Sequence, residues 1–122
     1  MASITVSKEK IAQAYGFASL AIGQFRSTIE SMNMNASRDG NLSVLQTAAR
    51  NGVLEQTTKF TGGLTYLMAA VQNGRVIVAK FLLENGVNPN TPDDNGRTAL
   101  DFAREDNNQG LIKLLEKYTK TQ

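Results

Sequence analysis

Five carboxylates lie close together in the C-terminal third of the chain, where they could bind a metal ion or act as general acids and bases. They are Asp93, Asp94, Asp101, Glu105 and Asp106. The run Asp93-Asp-Asn-Gly96 is superficially similar to the start of a calcium-binding loop. Such a loop needs further acidic ligands at fixed spacing and a terminal Glu, and Arg97 followed by Thr98 interrupts that pattern. We therefore expect no metal site.

The chain contains neither histidine nor cysteine. It lacks the most frequent general base, the most frequent metal ligand and the best thiol nucleophile. The glycines of Thr61-Gly-Gly-Leu64 are not followed by the Lys-Ser/Thr pair of a phosphate-binding loop. We expect a protein that is not an enzyme and has no catalytic residue, no cofactor and no metal.

The elements that position these side chains recur at a fixed interval. Thr65 and Thr98 are 33 residues apart, as are Leu67 and Leu100. The same interval separates Ala70 from Ala103 and Lys80 from Lys113. An interval of this size is typical of stacked helical pairs.

Three stretches carry this pattern: Gly63-Leu-Thr-Tyr-Leu-Met-Ala-Ala-Val-Gln-Asn-Gly74, Val78-Ala-Lys-Phe-Leu-Leu-Glu-Asn-Gly86 and Asp93-Asp-Asn-Gly-Arg-Thr-Ala-Leu100. They resemble the ankyrin repeat. The resemblance implies an all-α stack of antiparallel helix pairs, in which a short β-turn finger precedes an inner helix and an outer helix. The local chemistry agrees, because Asn95-Gly96 suits a tight turn and Thr98 can cap the following helix. Gly74 and Gly86 fall where helices are expected to end.

A third copy is incomplete. The run from Asp39 to Gly52 is interpreted as a turn and an inner helix, with Ser43 in the position of the later Thr. Because only 22 residues separate Gly52 from Gly74, an outer helix and finger are missing, and Thr61-Gly-Gly63 should make an abrupt return. In the last copy Asn107 replaces the glycine between the helices. We expect a single domain, residues 1–122, divided into an N-terminal helical cap (1–38), a truncated repeat (39–60), a repeat (61–92) and a C-terminal repeat (93–122).

The N-terminal region does not match the repeat. Apolar residues alternately four and three apart predict a long amphipathic helix from about Lys8 to Met32, with Ser7 as its N-cap and Asn33, Asn35 and Gly40 marking its exit. Such a helix could cover the open end of the stack. Alternatively, it could form a dimer seam, because this spacing also suits a coiled coil. The apolar stripe is Ile11, Tyr15, Ala18, Ile22, Phe25, Ile29 and Met32.

Composition limits the partner and the location. The net charge is +2, divided as +1 over residues 1–40, +2 over residues 41–86 and −1 over residues 87–122. No basic stripe with interleaved aromatic residues is present, so we expect no nucleic-acid binding. No apolar run is long enough for a membrane span, and we expect no membrane contact. A cytoplasmic location is expected, and a periplasmic or secreted one stays open if a leader was removed.

What remains is protein recognition, which the resemblance implies occurs on finger tips and the exposed side of the inner helices. Leu64 and Tyr66 are the most informative candidates, since large apolar and aromatic groups contribute strongly to interfaces. Arg97 could pair bidentately with a carboxylate. The partner-binding candidates by register are Leu42, Arg50, Asn51, Leu64, Tyr66, Gln72, Asn73, Asp94, Asn95, Arg97, Glu105 and Asp106.

The expected function is a small stand-alone binder that covers a partner protein's functional surface, as an inhibitor or immunity protein does. The acidic last repeat predicts a basic patch on that partner. An adaptor, or a self-associating structural subunit that uses the N-terminal helix, is the alternative. We expect a monomer in preference to a homodimer.

Overall fold

The computed structural model describes the backbone of residues 22–54 and 59–120, and the side chains of residues 26–54 and 59–119. Within these ranges the regular elements are six α-helices and one short 3₁₀ turn, which confirms the all-α prediction. The helices are α1 (Ile22–Asp39), α2 (Leu42–Arg50), α3 (Tyr66–Gln72), α4 (Val76–Glu84), α5 (Ala99–Glu105) and α6 (Gln109–Lys120). The 3₁₀ turn is Thr61–Gly63.

The helices pack as three hairpins: α1 with α2, α3 with α4, and α5 with α6. Neighbouring hairpins stack so that α3 lies between α1 and α5, while α4 contacts both α2 and α6. The helices α1, α3 and α5 therefore form an inner row, and α2, α4 and α6 form an outer row. The segments 59–65 and 85–98 connect an outer helix to the next inner helix and form the fingers.

Local sequence explains where the inner helices begin. The Thr65 hydroxyl accepts the Met68 N–H at 3.1 Å, and the Thr98 hydroxyl accepts the Asp101 N–H at 3.4 Å. In turn, Asp101 Oδ2 accepts a hydrogen bond from the Thr98 N–H at 2.9 Å, which completes a capping box. The predicted cap at Thr98 is confirmed. Both threonines satisfy N–H groups that the first turn of a helix otherwise leaves without acceptors.

Small and aliphatic side chains form the core between the two rows. Every residue of α3 from Tyr66 to Val71 is buried, and Ala69 and Ala70 let the neighbouring inner helices approach closely. Leu67, Leu82, Leu83 and Leu115 are buried, while Leu100 and Leu114 are half-buried against the core. Burying such side chains is the main favourable contribution to the stability of the stack.

The interpretation of Leu42–Arg50 as an inner helix is wrong. This helix, α2, pairs with α1 and stacks on the outer helix α4. The error has a simple cause: Gly40, Gly52 and Val53 match Gly74, Gly86 and Val87 at a spacing of 34, and the latter residues bracket an outer helix. The structure thus provides an inner helix before residue 40 and an outer helix after it. The boundaries drawn at residues 38, 60 and 92 stay predictions.

Two further details of the first hairpin differ from expectation. The helix predicted to end near Met32 continues to Asp39, so Gly40, with a φ of 77°, marks its exit, and Asn33 and Asn35 do not. Asn33 is fully buried within the helix, and its amide donates to the Val53 carbonyl at 3.1 Å. The N-cap of α2 is Asn41 and not Ser43, since Asn41 Oδ1 accepts the Val44 N–H at 3.4 Å. The predicted helical residues 8–21 and the N-cap Ser7 lie outside the described residues. Of the apolar stripe, Ile29 is buried.

Candidate functional site

The finger that precedes α5 is organised by one carboxylate. Asp93 Oδ1 accepts the N–H groups of Asn95 at 2.9 Å and Arg97 at 2.8 Å. The Asp93 N–H donates to the Arg97 carbonyl at 2.8 Å, which closes the turn from the other side. The Arg97 Nε donates to Asp93 Oδ2 at 3.2 Å. These four interactions hold the exposed tip, Asp94 and Asn95, in a single conformation.

The hydrogen bonds also change the acidity of this carboxyl. The Arg97 N–H lowers the pKa of Asp93 below its ordinary value of 3.8, and burial opposes this effect. The Asn95 N–H and the charge of Arg97 lower the pKa further. Asp93 is therefore ionised under physiological conditions, and its role is to shape the finger.

The finger before α3 lies directly against the finger before α5. The Asp94 N–H donates to the Gly62 carbonyl at 2.9 Å, which joins the two tips through their backbones. Gly62 and Gly63 both have positive φ, so Thr61–Gly63 makes the abrupt return predicted from its glycines. Leu64 follows this turn and is half-buried against the core. The two fingers consequently present one continuous edge.

Arg97 extends from the finger along the exposed side of α5. Its guanidinium lies 4.4 Å from the ring centroid of Phe102, within the range of a cation–π contact. Its Nη1 is 3.6 Å from Glu105 Oε1, at the far end of the same helix. The Arg97 side chain is still 41% exposed. The predicted anchor thus contacts three groups of its own chain in the absence of a partner.

The C-terminal ends of the inner helices lie side by side because α3 and α5 pack together. Gln72 and Asn73 end α3 in the same register in which Glu105 and Asp106 end α5, and all four are exposed. We use the name recognition face for the exposed tip of the second finger, the Arg97 side chain and these helix ends. Its members are Asp94, Asn95, Arg97, Gln72, Asn73, Glu105 and Asp106.

Three predicted residues lie elsewhere. Leu42 begins α2 and packs against the core, and Asn51 caps the end of α2 with its amide donating to the Thr47 carbonyl at 2.9 Å. Arg50 is exposed and lines a groove of about 400 Å³ between the outer helices α2 and α4. Because α2 is an outer helix, the structure does not bring these side chains to the recognition face.

Tyr66 was predicted to be an exposed contact and is instead 2% exposed. It packs against Phe60, with ring centroids 5.7 Å apart, and belongs to the core. Phe60 lies just before the 3₁₀ turn, at the position that Asp93 occupies in the next finger 33 residues later. The prediction that Tyr66 binds a partner is therefore corrected.

Sequence reasoning also missed residues that the structure makes prominent. Asp93 was considered only as a metal ligand or a general acid or base, although its hydrogen bonds to residues two and four positions later form the finger. Ile77 was not singled out, yet it is 71% exposed. Comparison of the copies could have found it, because Ile77 aligns with Ser43 and Gly110. Ile77 is thus an apolar residue at a position that is small or polar in the other two copies.

Across residues 22–54 and 59–120, no three His, Cys, Asp or Glu side chains are grouped as metal ligands would be. None of the helices in that part of the chain has both the length and the apolar character needed to span a bilayer.

Helical hairpins stacked in two rows and joined by hydrogen-bonded fingers define a helical repeat protein. The family model described as ankyrin repeats in three copies matches residues 33–122. The chain therefore belongs to the ankyrin-repeat family and is a protein–protein interaction module. The family is typically not enzymatic. The match begins within α1, which agrees with the inner position of that helix. No match was found among curated proteins.

Proposed function

We propose that this module binds a partner protein through the recognition face and covers a functional surface of that partner, as an inhibitor does. The observation that carries the proposal is the Arg97 network, which connects the finger at Asp93 with the helix end at Glu105. A surface that is ordered before contact loses little conformational entropy on binding. Such a surface suits a partner whose own surface is rigid and complementary.

The charge of the face indicates the chemistry of the partner. Asp94, Glu105 and Asp106 are exposed, and Arg97 supplies the one positive charge among the members of the recognition face. Arg97 is already engaged with Asp93 and Glu105, so the exposed charge is mainly acidic. A basic patch on the partner would be attracted by this field, and the attraction would raise the association rate.

The test uses two isosteric changes that remove charge without touching the Arg97 network. The double variant Asp94→Asn, Asp106→Asn is compared with wild type as bait in affinity capture from the source cell's lysate. We expect a partner captured by wild type to be lost or much reduced with the variant. Its binding should also weaken as salt is added, because exposed charges are screened.

A matched control removes two negative charges elsewhere. Glu84→Gln and Glu116→Gln lie on the outer helices α4 and α6, and this double variant should capture the same partner as wild type. Equal loss with both variants would mean that net charge alone matters, and full capture by the first variant would refute the recognition face. Once a partner is identified, its activity with and without the module decides whether binding blocks it.

A further inference from the structure

We propose that the groove between the first two hairpins is a second docking site, for a partner segment that presents a carboxylate beside an aliphatic side chain. The groove has a volume of about 330 Å³ and is lined by Asp39, Gly40 and residues 74–78. It lies where α1 turns into α2 and α3 turns into α4, away from the fingers. We call it the hairpin groove.

Arg75 is held in place along this groove. Its Nε donates to the Arg38 carbonyl at 2.8 Å, which satisfies a carbonyl at the C-terminal end of α1. Its side chain also covers Gly40, where an added Cβ would lie 3.0 Å from the Arg75 Cδ. Within the described part of the chain, the terminal Nη groups of Arg75 have no hydrogen-bond acceptor or ion-pair partner. The guanidinium is therefore positioned by one nitrogen and retains donors for a ligand.

The two residues after Arg75 are apolar and exposed. Val76 is 42% exposed and Ile77 is 71% exposed, and they are the large apolar side chains that the described surface leaves most open to water. The fold does not require Ile77 to be apolar, because its counterparts at this position of the outer helices are Ser43 and Gly110. Adjacent exposed aliphatic side chains beside an arginine are a feature of protein contact surfaces.

The charges of the groove select the ligand. An arginine with available terminal donors pairs well with a planar carboxylate. Asp39 lines the same groove, and its negative charge disfavours a ligand as highly charged as phosphate. A Glu or Asp on the partner would face Arg75, while the adjacent aliphatic side chain would cover Ile77. The occupant we infer is thus an acidic and aliphatic segment of a protein.

The test uses amide NMR spectra of the full chain titrated with two capped pentapeptides, Leu-Glu-Leu-Glu-Leu and Leu-Gln-Leu-Gln-Leu. We expect the first to shift the signals of Gly40 and of residues 74–78. The second should bind at least about tenfold more weakly, which is the effect expected for losing one charge-assisted hydrogen bond. The fingers should show no comparable shifts.

Variants separate the two contacts. Arg75→Gln should reduce binding of the Glu peptide to the level of the Gln peptide, and Ile77→Ser should weaken both peptides. Ile77→Ser keeps the test informative if Arg75→Gln unfolds the first hairpin, since an exposed side chain adds little to stability. Arg50→Gln removes an exposed arginine of α2 outside the groove and should change nothing.

Four results would overturn the proposal. They are equal affinity for the two peptides, unchanged binding by folded Arg75→Gln, shifts confined to the fingers, and no localised shift up to the solubility of the Glu peptide. Binding of inorganic phosphate as tight as that of the Glu peptide would likewise overturn it, because the groove would then be an anion site. The double variant Asp94→Asn, Asp106→Asn, which changes the recognition face, should bind the Glu peptide as well as wild type does. Each of the two proposals can therefore be refuted without the other.

Discussion

Gly63 lies so close to the next finger that a Cβ on this residue would be 2.7 Å from the Asp94 backbone nitrogen. The same Cβ would be 3.0 Å from the Asp93 Cα. These neighbours are backbone atoms that the Asp93 hydrogen bonds hold in place. Gly63 is therefore a position at which the two fingers approach too closely for a side chain.

Gly63→Ala should lower the free energy of unfolding by about 3 kcal/mol or more, because backbone strain at a positive φ adds to a steric clash. Gly62→Ala is the matched control. Its φ of 79° is nearly the same as the 78° of Gly63, but its Cβ would meet nothing within 4 Å. It should cost only the strain, about 1 kcal/mol. Urea unfolding measures both values, and equal losses would show that the finger contact adds nothing.

Asp93 should make stability depend on pH in the acid range. Because its pKa is lowered in the folded state, its contribution is fully present above the ordinary value of 3.8 and is lost as the pH falls through the lower folded pKa. Asp93→Asn should be less stable than wild type at neutral pH, and the difference should shrink below pH 3.8. Urea unfolding at a series of pH values measures the difference. A difference that stays the same across the series would contradict this assignment.

The capping box at the start of α5 should be worth about 1 kcal/mol, the usual value for an N-cap hydroxyl. Thr98→Ala removes the acceptor of the Asp101 N–H and should lower the unfolding free energy by that amount. Thr98→Ser retains the hydroxyl and should recover most of the loss. Thermal unfolding followed by circular dichroism measures both, and an equal loss in the two variants would assign the effect to the threonine methyl group instead.

Asn33→Asp should lower the unfolding free energy by about 3 kcal/mol or more at neutral pH, since it buries a charge and removes a donor. Asn33 is fully buried, and its amide is the donor for the Val53 carbonyl. Burial would raise the carboxyl pKa of the variant, so the loss should be smallest in acid, where the protonated group can donate again. A deficit that does not change with pH would contradict this explanation. Asn35→Asp, at an exposed position of the same helix, is the control.

The sequence predicted the elements whose signals are local. Thr98 as a cap and the turn at Thr61–Gly63 each depend on residues within one repeat, and the structure contains both of them. The position of α2 could not be assigned in the same way. Inner and outer helices both follow a glycine and both carry apolar residues. The helix between Gly40 and Gly52 could therefore be assigned to either the inner or the outer row. Only the 34-residue match to Gly74 and Gly86 distinguishes them.

The candidate site was less predictable for a related reason. Register alone placed Tyr66 beside the finger, but Tyr66 packs against Phe60, whose equivalent in the next finger is the carboxylate Asp93. Register likewise could not show that the Arg97 guanidinium forms ion pairs with Asp93 and Glu105. The periodicity of a chain shows what its repeats share, and it cannot show a contact that only one repeat makes.

The hydrogen bond from Arg75 to the Arg38 carbonyl crosses from the second hairpin to the first. The bond from Asp94 to the Gly62 carbonyl crosses from the finger of the third repeat to that of the second. Each repeat thus completes the hydrogen bonding of the one before it. In repeat proteins, such nearest-neighbour coupling determines whether units fray one at a time or melt together. With a link at each junction, this short stack should behave as a single cooperative unit that loses all three hairpins at once.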